Sequence, residues 1–342
     1  MPPVIQEAIR VLADRRDLTS DLMRQALTEV MTGTATQAQI GALLMGLRVK
    51  GETVDELVAA AQVMRDLLVP VRIRDTSRLI DTCGTGGDGA STFNISTASA
   101  IVAACAGAKV AKHGNRSVSS RSGSADVLEA AGVALDLSPA RIAQCIETVG
   151  IGFLFAPRHH EAMRHASSAR KELAVRTLFN MLGPLTNPAG ARRQVVGVFS
   201  MHLLDVFAQA LKVLGSECAL VVRSTDGLDE ISPAAPTEVA ELRNGGICRY
   251  RITPQDFGLP AGSIDELRVD SAAESLAVLH AVFAGAANTA ATAVILNGAA
   301  AIYAAGLADD WRAAVARART ILASGMAAAK LAELVAFTGA AA

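Results

Sequence analysis

The chain has 342 residues, of which 51% are hydrophobic, so it is long enough to bury one large core or two smaller ones. Lys and Arg total 32 against 33 Asp and Glu, and the resulting net charge of −1 excludes a general electrostatic attraction to nucleic acid or anionic lipid. Only 4% of the residues are aromatic, which argues against stacking surfaces for single-stranded nucleic acid. Any anion site must therefore be local.

Neither secretion nor membrane insertion is indicated. The first residues, MPPVIQEAIRVLADRR, include acidic side chains where a signal peptide needs a basic start and an apolar centre. The most apolar tract, 281–307, is interrupted by Asn, Gly and Thr, which is typical of a buried helix. The five cysteines are far apart, and no pair has metal or redox spacing. We therefore expect a cytoplasmic protein with reduced thiols and with no membrane or nucleic-acid partner.

Residues 3–70 are predicted to form four short helices. Apolar positions recur every three or four residues, and Gly33 and Gly51 suit helix ends. Thr53 and Glu56 form a capping box before the last apolar run, which Pro70 ends. With no strand pattern in this region, it is predicted to be a small helical unit of its own.

From residue 78 onward, short apolar runs alternate with amphipathic segments, which is typical of a mostly parallel sheet covered by helices on both faces. Strands are predicted at 79–82, 109–111, 152–155, 194–199 and 219–223, and helices at 96–106, 125–131, 139–149, 203–214, 272–284, 289–305, 311–323 and 327–337. The Asn-Gly-Gly run at 244–246 predicts one antiparallel hairpin, from 238–243 into 247–252. Residues 171–188 interrupt the alternation with a further helix-like piece.

A glycine-rich segment, DTCGTGGDG at 81–89, follows the first predicted strand and precedes a helix start rich in hydroxyl groups. Its glycines let backbone N–H groups turn toward one point, and the helix N-terminus adds partial positive charge, so the segment is suited to phosphate or pyrophosphate. A merely tight turn is the alternative. The segment is not a Walker loop, and its spacing does not match the dinucleotide fingerprint.

A basic segment, residues 112–124, begins where the second predicted strand ends and contains a lysine, an asparagine, arginines and several serines. Ligands bind at the carboxyl ends of strands in such sheets, so this segment and the glycine-rich segment are expected to face one crevice. The alternative is a solvated loop followed by a helix that Ser124 caps. Ser124 could serve both purposes.

An acidic segment, DGLDEIS at 226–232, follows the fifth predicted strand. Its adjacent carboxylates are suited to Mg²⁺, which binds a few carboxylates and completes its shell with water and substrate phosphate. A solvated acidic turn is the alternative.

The stretch 158–176 holds two adjacent histidines and several arginines. No third ligand is spaced to complete a zinc site with His159 and His160, so core or capping roles are expected for them. The arginines suit a solvent-exposed face, although one guanidinium could bind a carboxylate through two parallel hydrogen bonds.

Together these motifs resemble the anthranilate phosphoribosyltransferases. The stretches GTGGD, NIST, KHGNRSVSSRSGSADVLEAAG, FAPRHHEAM, RKELAVRTLFNMLGPLTNP, DGLDEIS and VILNGAAAIY occur in that family's order and cover essentially the whole chain. The resemblance implies a nucleoside phosphorylase/phosphoribosyltransferase-like fold, with a small all-helical domain and a large α/β domain around a mostly parallel central sheet. It implies domain bounds of 1–73, with a returning segment 172–190, and 74–342 for the rest, and a homodimer joined through the small domain.

The resemblance also implies a transfer of 5-phosphoribose from phosphoribosyl pyrophosphate to the amine of anthranilate, a step of tryptophan biosynthesis, with two Mg²⁺ ions per subunit. The residues it assigns to phosphoribosyl pyrophosphate are Gly84, Gly87, Asp88, Thr92, Asn94, Ile95, Ser96, Thr97, Lys112, His113, Gly114, Asn115, Arg116, Ser117, Val118, Ser119, Ser120 and Ser124. It assigns Gly84, Asn115 and Arg170 to anthranilate, and Ser96, Asp229 and Glu230 to the metal. Lys112, Asp88 and Arg170 are the predicted catalytic residues.

Two positions depart from the family pattern. Residues 223–225 read Arg-Ser-Thr where the family often has His-Gly before DGLDE, and Glu161 stands where a proline commonly follows the two histidines. Both could alter the tunnel for anthranilate, although neither removes a predicted ligand.

Two other functions remain as alternatives, a pyrimidine nucleoside phosphorylase with a similar KHGN-like loop and a non-catalytic relative that binds nucleic acid.

Overall fold

The computed structural model describes residues 3–117 and 122–340, so the predicted ligand residues Val118, Ser119 and Ser120 lie outside the described residues. The amino-terminal part contains the four predicted helices, α1 (Val4–Ala13), α2 (Ser20–Met31), α3 (Gln37–Lys50) and α4 (Val54–Leu67). The predicted capping box is present, since the Thr53 side chain accepts from Glu56 N–H and the Glu56 carboxylate accepts from Thr53 N–H.

The predicted α/β fold is confirmed. The strands form one seven-stranded sheet in the order β3-β2-β1-β4-β5-β6-β7, in which β1 to β5 are parallel and the hairpin β6–β7 is antiparallel. Their bounds are β1 (Leu79–Gly84), β2 (Lys109–Gly114), β3 (Ile151–Phe155), β4 (Arg193–Gly197), β5 (Cys218–Ser224), β6 (Thr237–Arg243) and β7 (Gly246–Ile252).

Helices cover both faces of this sheet. The helices that follow β1 along the chain are α5 (Ile95–Cys105), α6 (Ser124–Ala130), α7 (Pro139–Val149), α8 (Ala156–His159), α9 (Ser167–Leu173), α10 (Phe179–Leu182), α11 (Leu203–Val213), α12 (Ala272–Phe283), α13 (Thr289–Ala304), α14 (Trp311–Ala323) and α15 (Met326–Gly339). The helix α13 is buried along most of its length and packs on α5 and α14. Its many Ala residues and one Gly allow this close packing, because small side chains let the helix axes approach each other.

The chain returns to the helical unit after β3. The helix α9 packs against α3, and α10 packs against α4. Apolar residues of this return, including Leu178, Phe179 and Leu182, share one buried core with α1 to α4 and with α11 on the sheet. The helical unit is therefore docked on the α/β part through a continuous apolar core.

The single tryptophan, Trp311, lies at the hairpin edge of the sheet. Its ring stacks on Tyr303 and Phe257, with centroids 5.5 and 5.8 Å away, and its indole N–H donates to the Tyr250 hydroxyl at 3.0 Å. The hydroxyls of Tyr250 and Tyr303 both donate to the buried carboxylate of Glu241 on β6. This cluster fixes α13 and α14 to the hairpin.

Within residues 3–117 and 122–340 no single helix is long and apolar enough to cross a membrane. The helices α14 and α15 reach that length and composition only as a pair, and they meet at a bend of 71°.

Candidate active site

The candidate site lies at the carboxyl edge of the parallel strands. The sheet order places β1 between β2 and β4, because the chain runs from β1 to β2 and β3 on one side and then crosses over to β4 on the other side. Open α/β sheets bind ligands in the crevice at such a switch point. Gly84 ends β1 directly beside Gly197, which ends β4. The predicted glycine-rich, basic and acidic segments all follow strands at this edge, so the structure brings them together as expected.

The glycine loop, residues 84–89, is held by its neighbours on β4. Thr85 N–H donates to the Gly197 carbonyl at 2.9 Å, and Phe199 N–H donates to the Thr85 hydroxyl at 3.0 Å. Gly86, Gly87 and Gly89 have φ values of +66°, +77° and +76°, which side-chain-bearing residues rarely adopt. The glycines are thus needed for the course of the backbone, and this course leaves N–H groups available to an anion.

The start of α5 lies next to this loop. Asn94 precedes the helix, its N–H donates to the Ser275 hydroxyl at 2.9 Å, and its side chain accepts from the Thr97 hydroxyl. The side chain of Ile95 is buried in the core, which leaves only its backbone for a ligand. Thr92 forms an isolated bridge with Arg268. An anion here would meet the positive end of a helix of 11 residues.

Lys112 extends from β2 under the glycine loop and is only 2% exposed. Its ammonium donates to the Thr82 carbonyl at 2.7 Å and to the Ser96 hydroxyl at 3.1 Å. Burial lowers the pKa of Lys112, while the nearby carboxylate of Asp81 opposes that shift. Because an ammonium has three donors, two fixed bonds leave one N–H for a ligand.

The acidic segment, residues 226–232, closes the site from the side of β5. Gly86 N–H donates to the Asp229 carboxylate at 2.9 Å, and Asp229 N–H donates to the Asp88 carboxylate at 3.4 Å. A Cβ at Gly84 would lie 2.7 Å from the Asp229 carboxylate, and one at Gly197 would overlap the Asp229 carbonyl. The acidic segment therefore packs directly on the ends of β1 and β4.

The negative charge of this carboxylate cluster is only partly compensated. Burial, followed by the charge of Asp88, raises the pKa of Asp229 to about 7, and burial with the charge of Asp229 raises the pKa of Glu230 well above its usual value. Lys112 opposes the shift in the pKa of Glu230. A bound cation would remove the repulsion between the carboxylates, so the residues fit a hard divalent metal.

No group of three or more His, Cys, Asp or Glu side chains within residues 3–117 and 122–340 is already arranged as a metal centre. Mg²⁺ usually binds one or two carboxylates of a protein together with water and the oxygens of a substrate.

Three histidines form a buried cluster beside Lys112. The rings of His113 and His160 lie 5.1 Å apart, and His159 Nδ1 lies 2.8 Å from the Val69 carbonyl on the link between α4 and β1. Among the described residues, His113 Nε2 and both ring nitrogens of His160 meet no hydrogen-bond partner of ordinary geometry. Burial lowers the pKa of His113 to about 3 and that of His160 to about 4, with the neighbouring histidines adding to both shifts. The rings are therefore neutral at pH 7.

This cluster makes the fold sensitive to acid. The pKa values of His113 and His160 in the folded state lie below the unfolded value of about 6.5. At a pH between the folded and unfolded pKa values, the unfolded chain therefore binds more protons than the folded chain. The free energy of unfolding consequently falls as the pH decreases from about 6.5 toward 4. We expect each histidine to cost about 2 kcal/mol of unfolding free energy at pH 5 relative to pH 7.5.

The measurement is urea unfolding at pH 7.5 and pH 5.0 for the unsubstituted chain and for His160→Gln, whose loss between the two pH values should be about 2 kcal/mol smaller. The exposed His280 provides the control variant His280→Gln. An unchanged acid sensitivity in His160→Gln would refute the assignment.

The rest of the basic segment is built around α6. Arg116 donates to Glu129 at 2.6 and 2.8 Å and to Asp126 at 3.3 Å, so its guanidinium is largely engaged by carboxylates. Gly123 precedes α6, and its N–H donates to Asp126 at 2.9 Å. The expectation that Ser124 caps this helix is therefore wrong. Ser124 is the first helical residue, and its hydroxyl lies 3.5 Å from the Asn115 carbonyl.

The loop between β2 and α6 holds the other predicted residues of the basic segment. Asn115 folds its side chain back to accept from Arg116 N–H at 2.7 Å, and Ser117 N–H donates to Asp126 at 3.0 Å. Gly114 ends β2, where a Cβ would overlap the Ser124 hydroxyl. Asp126 and the tight packing at Gly114 thus shape the backbone of this loop.

Arg170 lies on α9, outside the glycine loop and the strand ends. Its guanidinium is 5.4 Å from the centroid of the Phe179 ring, and burial lowers its pKa. A hydrogen bond to the glycine loop comes instead from Arg176, six residues later.

Sequence reasoning gave no individual role to three residues that shape the surroundings of the site. Asp81 is fully buried, and its oxygens accept from His113 N–H at 3.1 Å and from Asn187 Nδ2 at 2.7 Å, which joins β1, β2 and the returning segment. Gly197 allows the acidic segment to approach β4, and Arg176 reaches the glycine loop. A charged residue inside an apolar strand was an available signal for Asp81. The other two depend on contacts between distant segments.

Comparison with known proteins agrees with this architecture. A model described as "Glycosyl transferase family, a/b domain" matches residues 76–328, and one described as "Glycosyl transferase family, helical bundle domain" matches residues 6–68. The fold and the cleft are thus those of a glycosyl transferase with a helical bundle and an α/β part. The chain is 55% identical over 334 residues to anthranilate phosphoribosyltransferase from Thioalkalivibrio sulfidiphilus, with 98% of each chain covered. It belongs to the anthranilate phosphoribosyltransferase family.

Solved structures support the same assignment. Anthranilate phosphoribosyltransferase from Thermus thermophilus is 40% identical, with a TM-score of 0.91 over 98% of this chain and 99% of that one. The Saccharomyces cerevisiae enzyme in complex with PRPP and Mg is 25% identical, with a TM-score of 0.90 over 99% of both chains. The same enzyme in complex with 4-fluoroanthranilate has a TM-score of 0.88 at 25% identity over 98% of both chains.

Proposed function

We propose that this chain catalyses the transfer of 5-phosphoribose from phosphoribosyl pyrophosphate to the amine of anthranilate, with release of pyrophosphate. The observation that carries the proposal is the convergence of the glycine loop, Lys112 and the carboxylates of Asp88, Asp229 and Glu230 at one switch point of the sheet. The yeast relative binds PRPP with Mg and binds 4-fluoroanthranilate, so both substrate classes have a precedent in the family.

Phosphoribosyl pyrophosphate would be bound by the loops already described. The proposed ligands are the residues predicted from the sequence. The central ones are the backbone of Gly84, Gly87 and Ile95, the side chains of Ser96 and Lys112, and the loop 112–117. Arg116 supports the loop through Glu129 and contributes its backbone. The helix start at α5 favours the ribose phosphate through its partial positive charge.

Magnesium would be held, as two ions per subunit, by three oxygen donors of the protein, the Ser96 hydroxyl and the carboxylates of Asp229 and Glu230. Burial is the largest cause of the raised pKa values of both carboxylates, followed by the charge of Asp88 for Asp229 and by that of Asp229 for Glu230. A cation bound beside them would favour their ionised forms, which supports this assignment. Magnesium, when bound, neutralises the charge that develops on the pyrophosphate oxygens.

The protein's own contribution to the chemistry would be electrostatic. As the bond from the ribose C1 to pyrophosphate breaks, negative charge accumulates on the leaving oxygens. The N–H groups of residues 87–89 and the remaining N–H of Lys112 would meet this charge without rearranging, because Thr85 and Gly86 anchor the loop through their own N–H groups and Ser96 anchors Lys112. Asp88 joins the glycine loop to the acidic segment. The amine of anthranilate carries its own lone pair at neutral pH, so no strong general base is needed and positioning is the larger task.

Anthranilate would be bound by Gly84, Asn115 and Arg170. Gly84 has no side chain to fill the space beside the Asp229 carboxylate, and a planar guanidinium such as that of Arg170 matches a carboxylate with two parallel hydrogen bonds. Arg170 is partly buried over Phe179, which limits its motion and strengthens its attraction for an anion.

Replacing Arg170 with Ala should weaken acceptor binding selectively. We expect the KM for anthranilate to rise about tenfold or more, since a charged hydrogen bond contributes about 1.5–3 kcal/mol, while the KM for phosphoribosyl pyrophosphate changes little. Steady-state kinetics with each substrate varied in turn provides the measurement. Equal effects on both KM values would contradict the assignment.

The direct test of the function is formation of phosphoribosyl anthranilate from the two substrates, followed by the loss of anthranilate fluorescence, with and without Mg²⁺. We expect turnover only when both substrates and the metal are present. Incubation with thymidine or uridine and phosphate tests the nucleoside phosphorylase alternative, and release of free base without any product from anthranilate would replace the present proposal.

The assignment of domains is part of this proposal. We assign residues 1–73 and 172–190 to a small helical domain and the rest of 74–342 to the α/β domain. The packing of α9 on α3 and of α10 on α4 supports this division.

A cytoplasmic location is likewise proposed, because the free cysteines of the described chain are typical of a reducing compartment.

The small domain would also join two copies into a homodimer. A shallow apolar groove of about 300 Å³ lies between α1 and α3, lined by Ile9, Leu12, Met45 and Val49 among others, and Val49 is 65% exposed. Val49→Asp should shift the chain from dimer to monomer, because a charge in an apolar interface is costly to bury. Size-exclusion chromatography with light scattering measures the mass. A monomeric unsubstituted chain would contradict the proposal.

A further inference from the structure

Arg176 connects the glycine loop with the chain that carries Arg170. It lies in the stretch between α9 and α10, and its guanidinium donates a hydrogen bond to the Gly87 carbonyl. The same guanidinium lies 4.7 Å from the centroid of the Phe199 ring, just beyond β4. A Cβ at Gly87 would stand 2.8 Å from Arg176 Nε, so the glycine is required for this approach. The residue is exposed, and its guanidinium contacts both the loop and Phe199, which follows β4.

This contact orients one peptide of the glycine loop. The Gly87 carbonyl and the Asp88 N–H belong to the same trans peptide and point in opposite directions. When Arg176 holds the carbonyl, the Asp88 N–H is turned away from Arg176. Arg176 therefore selects a loop conformation that is ready for an anion.

Arg176 also belongs to the segment that carries Arg170, the proposed ligand of anthranilate. We call residues 167–182 the acceptor segment, because anthranilate accepts the phosphoribosyl group. The Arg170 carbonyl accepts from Ala174 N–H at 3.3 Å, at a turn where Ala174 has a φ of +51°. The Arg170 guanidinium packs over Phe179 on the following helix. Thr177 N–H donates to the Asn180 side chain at 3.0 Å. These contacts hold the two sides of the segment together, and Arg176 lies between Ala174 and Thr177, two of the residues that make them.

We propose that Arg176 is a positioning residue that couples the two substrate sites, so that a pyrophosphate group on the glycine loop strengthens the binding of anthranilate at Arg170. The inference rests on the proposed function and deepens it. Coupling of this kind is reciprocal in free energy, so anthranilate strengthens pyrophosphate binding by the same factor. Arg176 itself need not touch either substrate.

The experiment measures anthranilate binding to the full chain by calorimetry in MgCl₂, with and without inorganic pyrophosphate, which cannot react. For the unsubstituted chain we expect pyrophosphate to lower the anthranilate Kd by at least about fivefold. In Arg176→Ala this ratio should fall to about one, while the Kd without pyrophosphate stays within about twofold of the unsubstituted value, which also reports an intact acceptor site.

Two further variants separate positioning from charge. Arg176→Lys keeps the charge but loses the planar group that stacks on Phe199, so it should not restore the ratio. Full restoration by lysine would overturn the inference. The exposed Arg164 supplies the matched control, and Arg164→Gln should keep the full ratio. A ratio that Arg176→Ala leaves unchanged, or that is absent from the unsubstituted chain, also overturns it. Failure of the proposed function is distinct, because the unsubstituted chain would then form no phosphoribosyl anthranilate.

Discussion

Lys112→Met should lower kcat/KM for phosphoribosyl pyrophosphate by about 10²–10³, equivalent to about 2.7–4 kcal/mol, the loss known for one preorganised donor to a developing anion. Methionine keeps much of the length of the side chain but removes the charge and all three donors. Since Lys112 is fixed to Thr82 and Ser96, the unsubstituted protein does not have to order this group when the pyrophosphate leaves.

Steady-state kinetics with phosphoribosyl pyrophosphate varied measures this effect, and thermal unfolding checks that the variant is folded. The exposed Lys212 on α11 supplies a matched control, Lys212→Met, which should keep normal kinetics. If Lys112→Met retains the full kcat/KM, the lysine has no electrostatic part in the transfer.

The second large effect is expected at the acidic pair. Joint replacement of Asp229→Asn and Glu230→Gln should raise the Mg²⁺ concentration for half-maximal activity by at least about 10–100-fold, the range for loss of groups that support a bound metal. The amides keep the size of both side chains but bind a hard cation more weakly. They also remove the ionisable group at position 229, whose pKa is raised to about 7 by burial and by the charge of Asp88.

Activity is measured as a function of MgCl₂ at a fixed concentration of both substrates. The chain offers a second adjacent acidic pair, Asp265 and Glu266, which is exposed in a short 3₁₀ turn. Asp265→Asn with Glu266→Gln should leave the Mg²⁺ requirement unchanged. The same requirement in all three proteins would argue against a metal at Asp229 and Glu230.

Most of the fold could be predicted from the sequence because its signals are local. Apolar periodicity and turn residues predicted the four amino-terminal helices, and every strand of the sheet falls on a predicted strand. Thr53 and Glu56 cap α4 as predicted, since a capping box needs only residues three positions apart. The alternative in which Ser124 caps α6 is wrong because the helix begins one residue earlier than expected, with Gly123 before it and Asp126 accepting from the Gly123 N–H.

The site could be predicted only in part. Strand ends in a parallel sheet share one edge, so the glycine-rich, basic and acidic segments could be expected together. The pairing of His113 with His160, and of Gly87 with Arg176, depends on how segments far apart in the chain dock in three dimensions. The sequence alone does not give the spatial distance between residues that are far apart in the chain. The specific ligands of each substrate accordingly remain predictions for the experiments above.

The stacking of Trp311 at the hairpin edge has a practical consequence for spectroscopy. The chain has one tryptophan, and its described neighbours include Tyr250, Tyr303 and Phe257. Its emission therefore reports whether α14 is docked on the hairpin, and it follows unfolding of the α/β part from a single position. Excitation of this indole would register melting in urea or acid, whereas optical changes during catalysis would come chiefly from the acceptor molecule.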